Sequence, residues 1–181
     1  MKLLRTIRLD PSDTFIFASA AEPGEWAVSG AFAFWSGDPT ALQGKARSAF
    51  RGGFLGVASL GWSTLVQIVE ASEADRANLV ELLAQRLVER FGAPNIEAAR
   101  AAAAEEVAFA ASLCSEPQDT LIAVHRTCED GEVRESFRTL KPRSGPKPAR
   151  AFSFLEVEGE DVEKDVSEQI DLIGMAERES K

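Results

Sequence analysis

The chain carries a single histidine, two cysteines and no tyrosine, so acid–base or nucleophilic chemistry has few side chains to draw on. The histidine, His125, lies in one of two β-type runs, 120–128 and 132–140, that flank Asp130-Gly131. Asp-Gly between such runs signals a two-residue hairpin, because the type I′ turn requires positive φ at both central residues. That turn sets Cys128 opposite Val133, Arg126 opposite Glu135, His125 opposite Ser136 and Val124 opposite Phe137. Ile122, Val124, Val133 and Phe137 then face a core, while His125, Thr127, Arg134, Ser136 and Arg138 share the other face. His125, Arg134, Ser136 and Arg138 form the first candidate ligand site. The planar arginine fork matches a carboxylate or phosphate, and histidine adds a donor that titrates near neutral pH. The competing reading is the solvated face of an antiparallel hairpin.

A second candidate follows the bases Lys45, Arg47 and Arg51. Arg51, Gly52 and Gly53 lead into Phe54-Leu55-Gly56, and Gly61-Trp62-Ser63 comes shortly after. Glycine-rich turns free backbone N–H groups to face an anion, and adjacent bases favour one; alternatively, the glycines only let the chain cross tightly beneath a helix. The cysteines read as structural thiols. Cys128 is three residues from His125 on one strand, hence on the opposite face, and Cys114 falls on the apolar stripe of a helix. Cys114, His125 and Cys128 lack the close paired spacing of zinc ligands, so neither metal nor cofactor is expected. Familiar catalytic signatures also fail. Six residues separate Gly37 from Gly44-Lys45, and Ala46 follows the lysine, which is no phosphate-binding loop. Ser59 has Val57 where a nucleophile elbow needs glycine, and no dinucleotide-binding glycine pattern occurs.

The elements that must position these residues are read from periodicity and punctuation. Residues 3–9 predict a strand stopped by Asp10-Pro11-Ser12-Asp13, and 14–18 a short second one. Alternation of bulky and small residues over 26–35 predicts a strand covered on both faces, with Gly30 a bulge or close approach. Thr40 caps a short helix to about Arg51, and 62–70 predicts another strand. Ser72 and Asp75 start a helix over 73–92 with Val80, Leu83, Ala84, Leu87 and Phe91 as its stripe; Gly92 and Pro94 end it. Asn95 caps a second helix over 95–113 with a stripe of Ile96, Ala99, Ala103, Val107, Ala110 and Cys114. Residues 141–150 read as a basic, proline-rich linker, and 151–157 as an edge strand.

Acidity is concentrated at one end. Residues 156–181 carry ten acids against Lys164, Arg178 and Lys181, whereas the net charge of the whole chain is −9. The body is therefore near neutral, which disfavours generic nucleic-acid binding. The acidic tail solubilises, docks on a basic partner, or folds back on the Arg134/Arg138 face. A chain of 181 residues buries roughly 70% of its unfolded surface without staples. Two cysteines suit a reducing compartment, and no run approaches the ~18 apolar residues of a membrane helix. The expectation is a cytoplasmic protein, with a single domain over 1–140, the linker over 141–150, and an edge strand and acidic tail over 151–181.

Residues 1–10 and the segment FLGVASLGWSTLVQIVEA (54–71) resemble an uncharacterised bacterial family of short cytosolic proteins without assigned function. The likeness runs to about Pro142 and implies neither a site nor an activity. The fold expected is α+β, a mostly antiparallel sheet with the two consecutive helices packed on one face. Two functions stay open: a non-catalytic binding or accessory domain for an anionic small molecule or a protein partner, and a small metal-independent enzyme using His125 with Arg134 or Arg138. A homodimer through the Trp-rich N-terminal strands is compatible with either.

Overall fold

A computed structural model describes residues 1–141 and 156–158. In chain order these form β1 (Lys2–Ile7), α1 (Ser12–Ile16), β2 (Trp26–Val28), α2 (Gly44–Gly52), β3 (Phe54–Gly56), β4 (Trp62–Ser63), β5 (Leu65–Glu70), α3 (Glu73–Phe91), α4 (Ile96–Ser112), β6 (Leu121–Glu129), β7 (Glu132–Lys141) and β8 (Glu156–Glu158). The fold is α+β. One antiparallel sheet runs β4-β3-β2-β1-β5-β6-β7-β8, and α3 and α4 pack along each other, with α4 against β1 and β2. Leu79, Leu83 and Leu87 of α3 and Ala99, Ala103 and Val107 of α4 meet Leu4, Ile68, Ile122 and Val124 of the sheet in one core. The small stripe of α4 permits this close approach, as the sequence pattern predicts; on α3, Leu79 joins Leu83, Ala84 and Leu87 as buried, with Val80 only partly covered.

Local chemistry explains the elements that match expectation. Ser72 and Asp75 form a reciprocal capping box, Asn95 accepts the Ala98 N–H at 2.8 Å, and Gly92 closes α3 in the left-handed region. Asp130 and Gly131 take φ of 53° and 81°, and the hairpin register pairs Arg126 with Glu135 and His125 with Ser136 as the turn type requires.

Four segments differ from the sequence reading. Residues 14–18 are not a strand, because Pro11 sits at the N-cap of α1 and the Asp10 carboxylate accepts the Ser12 N–H, converting the expected stop into a helix start. The strand expected over 26–35 ends at Val28. Gly30 turns the chain at φ 78°, where a Cβ would lie 2.6 Å from Leu55 Cβ, and 31–34 form a 3₁₀ turn. Phe32 and Phe34 are half-buried by ring contacts with Phe91, Phe50 and Trp62 rather than by strand alternation. Asp38, not Thr40, caps a separate turn over 39–41, and α2 begins only at Gly44. The strand over 62–70 breaks at Thr64, whose N–H and hydroxyl both donate to the buried Asp13 carboxylate. Of the expected edge strand, Glu156 and Val157 pair with β7, and Glu158 extends the pairing; Lys141, the first residue of the expected linker, ends β7, and the rest of the linker and of the acidic tail lie outside the described residues. Among those residues, no helix is long and apolar enough to cross a membrane.

Candidate functional site

The hairpin brings His125, Arg134, Ser136 and Arg138 onto one exposed face. The Ser136 hydroxyl donates to the His125 carbonyl at 3.3 Å, and Arg134 is ion-paired with Glu129 at 3.0 Å. The four side chains stand in the open. Arg51, from the second candidate, instead lines a cavity of about 320 Å³ between α2 and β6, together with Arg47, Thr40, Phe50, Thr127 and Cys128. Gly52 ends α2. Gly53 follows it, where a Cβ would lie 2.8 Å from Trp62 Cε3 and 2.9 Å from the Ala49 carbonyl, so this glycine permits a tight crossing. Trp62 stacks on Phe34 at 5.1 Å. Cys114 is buried, and burial pushes its thiol up to about 11, well out of the reactive range. Among the described residues no group of His, Cys, Asp and Glu is arranged to hold a metal.

Period two puts Arg126 and Glu135 on the hairpin face that turns inward, and both are drawn under the sheet. Arg126 is 0% exposed. Its Nε donates to Glu135 Oε1 at 2.7 Å, one terminal nitrogen to the Phe50 and Gly53 carbonyls at 3.1 and 2.7 Å, and the other to the Ser29 carbonyl and hydroxyl. The Phe50 carbonyl belongs to the last turn of α2 and Gly53 follows it, so the guanidinium sits where the helix dipole is negative. Ser29 Oγ donates to Glu135 Oε1 in turn. Burial pulls the Arg126 pKa down and Glu135 opposes it; an arginine so placed stays protonated.

Beside this cluster, Glu106 of α4 accepts the Gly30 N–H at 3.0 Å. Burial holds its carboxyl above the usual range; the Gly30 hydrogen bond and Arg126 work against the rise, and Glu135 adds to it. Glu106 also lines a groove of about 420 Å³ between the 3₁₀ turn, the end of α3 and the face of α4. Its walls are Phe32 and Trp35, Leu87 and Phe91, and Ala102 and Phe109; among the described residues, the ionisable side chains lining it are Glu105 and Glu106. Trp35 is 74% exposed and Phe109 39%. The arrangement offers an apolar bed with a carboxylate at its side, suited to an apolar group carrying a positive charge.

Sequence reasoning passed over Arg126, Glu135, Glu106 and Trp35. The signal for three of them was periodicity. Arg126 and Glu135 alternate with Val124 and Val133, and Glu106 lies three after Ala103 and four before Ala110, on the apolar stripe. Trp35 gave none, because its exposure depends on the 3₁₀ turn.

No curated protein and no solved structure matches the chain. The model of a family of unknown function, DUF6505, matches residues 1–158, the stretch that contains the sheet, the groove and the buried cluster, and the chain belongs to that family.

Proposed function

We propose that this chain is a non-catalytic binding domain whose groove receives an apolar, basic segment of a partner protein. The observation that carries the reading is Trp35, largely exposed over an apolar groove that also holds Glu105 and Glu106. Aromatic side chains left in the open beside a concave apolar surface mark interaction sites, and tryptophan is prominent among residues that dominate binding energy. Charge selects the occupant. Arg126 faces two carboxylates, Glu135 and Glu106, so one guanidinium balances only one of them and the groove keeps a negative bias. A lysine or arginine flanked by apolar residues relieves that bias. The enzymatic reading draws less support, since His125 stands on an open face rather than in a cleft.

Selection of a random displayed peptide library on the full-length protein tests the proposal. Enriched sequences should combine aromatic or aliphatic residues with lysine or arginine and shift the tryptophan emission on binding. Trp35→Ala should weaken them by ~30-fold, the equivalent of a 2 kcal/mol anchor. Enrichment of acidic peptides, or binding indifferent to Trp35→Ala, would overturn it. So would a concentration-dependent dimer that Trp35→Ala abolishes, which would make the occupant a second copy.

A further inference from the structure

We infer that the separate cavity between α2 and the hairpin is a binding site for a small phosphate-bearing molecule. Arg47 and Arg51 lie one helical turn apart on α2, and both line this cavity. Residues four apart on a helix are neighbours, so two guanidinium forks reach into one space. Unlike Arg86, Arg100 and Arg134, which hold carboxylates, these two make no side-chain hydrogen bond or ion pair among the described residues. Cys128 and the adjoining Thr127 of β6, with Phe50 of α2, complete this part of the lining. Among the described residues, no carboxylate lines the cavity. Asp38, next to it in the chain, is turned to the Thr40 N–H and hydroxyl. The third cation of the lining, Arg126, is already balanced by Glu135.

The chemistry narrows the ligand. One fork saturates the two oxygens of a carboxylate, whereas two forks match a group with three oxygens and more than one negative charge. At about 320 Å³ the space sits at the small end of ligand cavities. It fits a phosphate with a compact organic substituent on Phe50. The site shares no lining residue with the aromatic groove and stands or falls without it.

Inorganic phosphate and pyrophosphate are the probes, added to the full-length protein. Either should raise the thermal unfolding midpoint in a saturable way that sodium chloride of equal ionic strength does not reproduce. Arg47→Gln and Arg51→Gln should each weaken binding by roughly ten-fold, the loss of one charge-assisted contact, while Arg90→Gln leaves it unchanged. Cys128 provides an independent readout on the unmutated chain. It is half-exposed and lines the cavity whereas Cys114 is buried, so saturating pyrophosphate should slow its alkylation by iodoacetamide several-fold. A midpoint shift matched by chloride, an equal shift in the Arg47→Gln/Arg51→Gln double variant, or an unchanged Cys128 alkylation rate would each overturn the inference.

Discussion

Replacing Arg126 by methionine tests whether the buried ion pair organises this fold. Methionine fills much of the arginine's volume, so the loss is electrical rather than a cavity. The Glu135 carboxylate, 16% exposed, loses its cation, and the carbonyls of Ser29, Phe50 and Gly53 lose their donor. Breaking a buried pair from one side costs about 3–5 kcal/mol. With a urea dependence of about 2 kcal/mol per molar for a domain of this size, the midpoint should fall by about 2 M. Adding Glu135→Leu removes the stranded carboxylate but leaves the three carbonyls unsatisfied, so the double variant should recover about half of the loss. The assay is equilibrium urea unfolding followed by far-ultraviolet circular dichroism on the wild type, both single variants and the double. A loss below about 1 kcal/mol in Arg126→Met, or single-variant costs that simply add in the double, would refute the coupling.

Three further outcomes are expected. Gly30→Ala should cost roughly 2 kcal/mol or more in the same urea assay, because Gly30 sits at φ 78° with its missing Cβ 2.6 Å from Leu55 Cβ. Glu106→Gln keeps the acceptor for the Gly30 N–H but removes a carboxyl whose folded pKa is raised above its ordinary value near 4.5. Such a group gives full stability below the unfolded value and loses it as pH rises through the folded one. The variant should therefore be more stable than wild type at pH 7, with the advantage disappearing below about pH 4.5, as thermal melts across that range would show. Ser72→Ala should remove about 1 kcal/mol by breaking the capping box of α3, read from urea midpoints.

What was legible in the sequence was legible for local reasons. Ser72, Asp75, Gly92 and Asn95 announce two helices through caps that need only neighbouring backbone, and Asp130-Gly131 sets the hairpin register through the φ its turn demands. The misread segments are those where tertiary contacts decide. The bulky–small alternation over 26–35 suits a strand, yet Phe32 and Phe34 find rings on α3, α2 and β4 instead, and Gly30 bends the chain to reach them. Site residues suffered a related error. Arg126, Glu135 and Glu106 occupy core-facing phases, but charge argued against burial, and the carbonyls that make Arg126 tolerable come from residues 29, 50 and 53. The exposed quartet on the hairpin was easy to see because a solvated face displays its chemistry in the sequence.

The wiring of Arg126 also bears on the order in which the chain assembles. Glu135 is only nine residues away, across a turn that closes on its own, whereas Gly53, Phe50 and Ser29 are 73, 76 and 97 residues distant. The hairpin can form early with its ion pair still hydrated, but docking it strips water from a guanidinium that only those distant carbonyls can satisfy. Contacts of such separation are assembled late. A hairpin that lands on any other apolar surface meets an unsolvated charge and is released. The arginine thus acts as a checkpoint on the final closure of the sheet, and its loss should speed unfolding far more than it slows folding.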